Sequence, residues 1–255
     1  MATVLVTGGT GSLGRRLVPL LMADGNHVRV FSRSTAPSLP EGAAAVKGDI
    51  STGEGLADAV SGVDAVINAA SSPFRRTWTT DVFGAGRLVE ACQREGRAHL
   101  IQISIVGVDR NPFRYYRAKL AAEAVIALSG LPWTVVRATQ FHDLLATAFA
   151  SAARLRLVPA LRNVRFQPVD AGEVAAHLVG VVGAGPGGHL PDIAGPEIRT
   201  HEELARIWVD VVAPRRRVVV VPAVGPWLAG FREGSNLSPD RAVGRVTFEQ
   251  FLARQ

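Results

Sequence analysis

The apolar positions of this 255-residue chain change their period along its length. Short apolar runs recur at Val4–Val6, Val28–Phe31, Ala44–Val46, Ala65–Asn68, Leu100–Ile103 and Thr134–Val136. Their length and content read as buried strands. Between most of them lie stretches with helical spacing, at 12–23, 55–60, 80–95 and 115–128. Near-continuous apolar strands separated by helices predict a parallel sheet covered on both faces. Right-handed crossovers then give a doubly wound α/β fold of the Rossmann type. Ligands of such sheets bind beyond the carboxyl ends of the strands, so the residues there carry the functional information.

After about residue 140 the rhythm changes. Residues 141–157 read as a helix, 163–168 as a short extended piece, and 170–182 as a second helix with Asp170 as its N-cap. A strand follows at 189–193. Thr200 and Glu203 form the signature of a capping box for a helix through Val211, and a strand is expected at Val218–Val221. These elements predict a Rossmann core over 1–140 and a small C-terminal cap over 141–255, interleaved with the core as a single compact unit.

Where the first strand meets the first helix the chain reads Thr7-Gly8-Gly9-Thr10-Gly11-Ser12-Leu13-Gly14. Glycines there allow a tight turn and a close approach of backbone N–H groups. The helix N-terminus adds its unpaired donors and its positive dipole end. Strand, glycine turn and helix together predict a pyrophosphate site built from Gly8, Thr10, Gly11, Ser12, Leu13 and Gly14.

Composition narrows the class. Apolar residues make up 47% and charged residues 20%, as in soluble globular proteins. Cys92 is the only cysteine, so neither an intrachain disulfide nor a cysteine metal cluster is expected. No signal peptide or membrane-length apolar stretch is apparent, and a cytoplasmic location is the expectation. The net charge of +6 raises the question of nucleic acid. Its arginines are scattered, however, and the cluster Arg215–Arg217 has no interleaved aromatics, so no nucleic-acid or membrane partner is expected.

The end of the second strand bears on the cofactor. A carboxylate there would hold the ribose 2′-hydroxyl of NAD, but the chain has Ser32-Arg33-Ser34. Arg33 lies 19 residues after Gly14, about where the acid would sit. A guanidinium beside hydroxyls suits a 2′-phosphate, so NADP is favoured over NAD, with Arg15 or Arg16 able to assist. Asp49 and Ile50, after the third strand, and Ala69 and Ala70, after the fourth, are the further cofactor candidates.

Ser104 ends the fifth strand, and Tyr115-Tyr116-Arg117-Ala118-Lys119 follows. Tyr115 and Lys119 are four apart and share one helix face. An ammonium beside a phenol favours the phenolate, which suits proton transfer at a carbonyl or alcohol oxygen. The chain has only two lysines, Lys47 and Lys119, and otherwise uses arginine.

These motifs, in this order, resemble the NmrA-like branch of the atypical short-chain dehydrogenases and reductases. The segments Leu131–Phe141, Pro168-Val169-Asp170-Ala171 and Ala194-Gly195-Pro196-Glu197 extend the likeness over nearly the whole chain. The resemblance implies hydride transfer with NAD(P)H and a small-molecule substrate, most simply reduction of a carbonyl or conjugated compound. It implies Tyr115 as general acid, Ser104 orienting the substrate oxygen, and Lys119 tuning Tyr115 and holding the nicotinamide ribose. Phe141 and His142, after the sixth strand, become substrate candidates. Ser12 stands where the better-known subgroup has glycine. Alternatives within the resemblance are a non-catalytic NADP(H)-sensing regulator and an epimerase or dehydratase that retains its cofactor. Monomer and homodimer are both compatible with it.

Overall fold

In the computed structural model, every residue of the chain is described except Phe74, Arg75, Arg97 and Leu155. The strands are β1 (Thr3–Thr7), β2 (His27–Ser32), β3 (Ala44–Lys47), β4 (Ala65–Asn68), β5 (His99–Ile105), β6 (Trp133–Ala138), β7 (Leu157–Leu161), β8 (Arg165–Phe166), β9 (Gly188–His189), β10 (Arg199–Thr200) and β11 (Arg217–Val221). The helices are α1 (Ser12–Ala23), α2 (Leu56–Val60), α3 (Gly84–Glu95), α4 (Arg114–Ala127), α5 (His142–Ala153), α6 (Ala171–Ala184), α7 (His201–Val212), α8 (Ala229–Arg232) and α9 (Phe248–Leu252). A π-helical turn, Trp78–Phe83, leads into α3.

Two compact units form, and their residues interleave along the sequence. The first comprises 1–104, 117–136 and 174–190; the second comprises 105–116, 137–173 and 191–255. The chain passes from one unit to the other near residues 105, 117, 137, 174 and 191.

The first unit is built on a seven-stranded sheet in the order β3-β2-β1-β4-β5-β6-β9. Its registers, such as Val4↔Val28 and Val6↔Ile67, are parallel. This is the Rossmann arrangement expected from the sequence. Val4, Leu5 and Val6 are completely buried because both faces of β1 are covered. In α1 the buried residues Leu13, Leu17, Val18 and Leu21 keep helical spacing and form the stripe that faces inward.

The second unit has its own core around Phe149, Trp208, Leu204, Phe248 and Phe251. The helix expected through Leu157 stops at Ala153, and β7 follows. Arg156 is in the left-handed region (φ 67°), which turns the chain out of the helix. Leu155, within the expected helix, lies outside the described residues. β7 pairs in parallel with the distant β11, a partner that local periodicity cannot reveal. The capping box at Thr200 and Glu203 is present, as are the bonds from Gly172 N and Glu173 N to Asp170 Oδ1.

His201 opens α7 and accepts the backbone N–H of Leu161 on Nδ1 at 2.8 Å. Burial lowers its pKa to about 4. His99 and His142 are also lowered, first by burial. The unfolded chain would protonate these rings near the ordinary value of about 6.5. Their contribution to stability is therefore complete above that pH and is lost as pH falls toward 4. Denaturation midpoints should drop across that window. His201→Asn, which keeps an acceptor but does not titrate, should flatten the drop; an unchanged slope would contradict the assignment.

Candidate functional site

The glycine turn joins β1 to α1 through three positions with separate jobs. Gly8 has a φ of 70°, and a Cβ there would meet the Ala69 carbonyl carbon at 2.7 Å. Gly14 packs α1 onto the turn, since a Cβ would come within 2.4 Å of Gly8 O and Gly9 Cα. At Gly11 a Cβ would meet Gly8 O alone, at 3.2 Å. That contact is tight for a side-chain carbon, and the exposed N-cap of α1 is where a ligand would approach the first helical N–H groups.

That turn opens onto a cavity of about 780 Å³ lying wholly within the first unit. Gly8, Thr10, Gly11, Ser32, Arg33, Asp49, Ile50, Ala69 and Ala70 line it, together with Phe31, Ser71, Ser72, Arg76 and Thr80. The volume falls within the range of cofactor pockets, about 300–1,000 Å³. Its place at the carboxyl ends of β1–β4 is the one the doubly wound topology assigns to ligands. The residues present fit a dinucleotide.

Ser12, Leu13, Gly14 and Arg15 do not line this cavity. Leu13 is buried in the core, and Gly14 serves packing. Arg15 is exposed, and Arg16 donates to Ser12 O at 2.9 Å. Arg76, which the sequence reading did not single out, does line the cavity. Asp49 Oδ1 accepts from Ser51 N at 2.8 Å and Ser51 Oγ at 2.7 Å. Partial burial pushes its pKa up, but those hydrogen bonds and the charges of Arg33 and Arg76 outweigh it and hold the carboxyl below its usual range.

Beneath the cavity a buried polar chain crosses the strand ends. Thr7 Oγ1 donates to Asn68 Oδ1 (2.7 Å), Asn68 Nδ2 to Gln102 Oε1 (2.8 Å), and Gln102 Nε2 to Ile103 O (2.8 Å). Ala70 N donates to Thr7 Oγ1 at 3.2 Å, which ties the cavity wall to β1. Polar residues ending consecutive apolar strands were the signal for this network.

Lys119 is buried. Its Nζ lies 3.0 Å from Asp81 Oδ1 and donates to Ile103 O at 3.2 Å. The two side chains are only 4% and 1% exposed. Asp81, on the π-helical turn, also accepts from Ser71 Oγ at 2.7 Å and Ser72 N at 3.2 Å. Asp81 was not singled out from the sequence either. Ser104 is buried at the end of β5, and its Oγ has no hydrogen-bond partner among the described residues. A buried hydroxyl without a partner costs free energy and marks a place where an oxygen-bearing ligand would be welcome.

In the second unit, Tyr115 is half-buried beside Tyr116, with ring centroids 6.4 Å apart. Tyr116 is enclosed and accepts from Gln140 Nε2 at 2.8 Å; burial raises its phenol pKa strongly. His142 corrects the expectation of a substrate role. It is fully buried, its Nε2 lies 3.0 Å from Val246 O, and its ring packs against Phe248 and Phe251. It belongs to the core. Phe141 is the N-cap residue of α5 and forms a parallel bridge with Val169.

Fold and cavity together define a dinucleotide-binding protein of the Rossmann class. Residues 8–181 match the NAD(P)H-binding family, and the chain belongs to it. Among curated relatives, the chain is 36% identical over 110 residues to a 3-beta-hydroxysteroid dehydrogenase of Mycolicibacterium neoaurum, covering 38% of this chain and 30% of that protein. It is 29% identical over 165 residues to a 2-alkyl-3-oxoalkanoate reductase of Stenotrophomonas maltophilia, covering 62% and 50%. The chain thus matches half or less of either relative's length. The NADPH complex of an NADPH-dependent quinone oxidoreductase from Escherichia coli superposes with a TM-score of 0.80, at 16% identity over 98% of this chain and 99% of the other. A nucleoside-diphosphate-sugar epimerase from Staphylococcus aureus gives 0.78 at 19% identity over the same shares. At these identities the structures share the fold. Among the described residues, no helix is long and apolar enough to cross a membrane.

Proposed function

We propose that this protein is an NADPH-dependent reductase of a carbonyl or conjugated small molecule. One observation carries the reading: a single cavity joins the glycine turn to Arg33 at the end of β2, where an NAD-selective unit would present a carboxylate. Bound NADPH supplies the hydride. The chain's own residues supply the rest. Tyr115 is the proposed proton donor to the substrate oxygen; Ser104, whose Oγ has no hydrogen-bond partner among the described residues, is a proposed hydrogen-bond donor to the substrate. Lys119, four residues after Tyr115 on α4, is held in place by its ion pair with Asp81. The activities of the matched dehydrogenase and reductase agree with this chemistry.

The test is consumption of NADPH, followed at its nicotinamide absorbance, over a panel of ketones, quinones and enones. Turnover with NADPH in preference to NADH is expected. Tight NADPH binding without consumption across the panel would replace the reductase with a dinucleotide-sensing regulator.

A further inference from the structure

Arg33 alone gives the cavity too little positive charge for a 2′-phosphate. A phosphate monoester carries about −1.5 to −2 at neutral pH. Arg33 contributes one positive charge, and Asp49, in the same wall, contributes one negative. Arg33 and Asp49 together therefore offer that group no net attraction. Among the described residues the cavity has one more cation, Arg76, on the segment after β4.

The backbone of Arg76 is unusual. Its φ is 53°, in the left-handed region, which costs a non-glycine residue of order 1–3 kcal/mol and persists only where neighbours enforce it. Here they do. Arg76 O accepts from Thr80 N at 2.9 Å at the start of the π-helical turn, and Thr77 Oγ1 donates to Ser72 O at 2.8 Å. The strained residue is thus pinned from both sides to cavity-lining positions, Ser72 and Thr80. Both guanidinium groups are near enough to act on the Asp49 carboxylate. All three side chains belong to residues that line the one cavity.

We propose that Arg76 is the second ligand of the 2′-phosphate, so that Arg33 and Arg76 form a two-arginine clamp in the cavity they line with Asp49. The proposal rests on the NADP(H) selectivity proposed above. Guanidinium groups bind phosphate oxygens in a fork, and with two of them one positive charge remains for the phosphate after Asp49 is matched.

The test is the affinity of the intact protein for NADPH and NADH, by calorimetry, in the wild type, Arg33→Ala, Arg76→Asn and Arg76→Gly. Asparagine and glycine both tolerate a positive φ, so each removes the guanidinium without distorting the turn. The expected result is an NADPH dissociation constant raised about tenfold or more in both Arg76 variants, with NADH changed less than about twofold. Equal losses for both dinucleotides would place Arg76 on a part they share and overturn the clamp. No loss for either would also overturn it. If Arg33→Ala abolishes the preference for NADPH while the Arg76 variants keep it, the clamp fails and NADP(H) selectivity stands. If the wild type itself shows no preference, both fall.

Discussion

Tyr115→Phe should lower turnover by roughly 10²–10⁴-fold while leaving NADPH affinity within about twofold. The change removes one oxygen and keeps the ring, so the aromatic packing beside Tyr116 persists. What is lost is the proton donor at the substrate oxygen. Tyr116→Phe is the control, because its hydroxyl is enclosed and its one bond shown is to Gln140. That variant should lose stability by about 0.5–1.5 kcal/mol, not proton-transfer chemistry. The two tyrosines are adjacent in sequence, which makes the contrast direct. Full activity in Tyr115→Phe, with any substrate the wild type reduces, would remove Tyr115 from the chemistry.

Asp81→Leu should strongly destabilise the fold. The Asp81–Lys119 pair is almost completely enclosed, and Asp81 also holds Ser71 and Ser72. Removing one member of a buried pair strands the other charge, at a cost of about 3–5 kcal/mol. In a protein of this size that lowers the melting temperature by about 2–4 °C per kcal/mol. The pair itself is worth less than its loss suggests, because both ions were desolvated to form it. Asp81→Leu combined with Lys119→Met should therefore be more stable than Asp81→Leu alone, recovering much of the deficit. Chemical denaturation of the three variants measures this. A double mutant no more stable than the single would show that the charge on Lys119 is not the cause.

The Rossmann order of the first unit could be read from the chain because its information is local. Strands β1 to β6 are short apolar runs, and the glycine turn sits where strand becomes helix. Thr200 with Glu203 and Asp170 with its two amides are caps written within a few residues. The features that escaped are long-range. β7, of which only Leu157 fell within the expected helix, went unassigned because its partner β11 lies far along the chain. The Thr247–Gln250 capping box of α9 was passed over for a different reason, since glutamine is a less conspicuous N3 partner than glutamate.

The same division holds at the site. Arg33 could be found by counting from Gly14 along a known strand-turn-helix geometry. Arg76 and Asp81 could not, because the loop after β4 has no fixed length to count along. His142 was misread because a histidine beside a strand end looks polar in sequence. Only the packing of Phe248 and Phe251 shows that its ring belongs to the core.

The most direct test of the central claim is a calorimetric titration of the wild-type protein with NADPH and, separately, NADH. The expected result is saturable binding of one NADPH per chain, with NADH weaker by about tenfold or more. No binding of NADPH, or NADH bound more tightly, would contradict the assignment of the Gly8–Arg33 cavity to NADP(H).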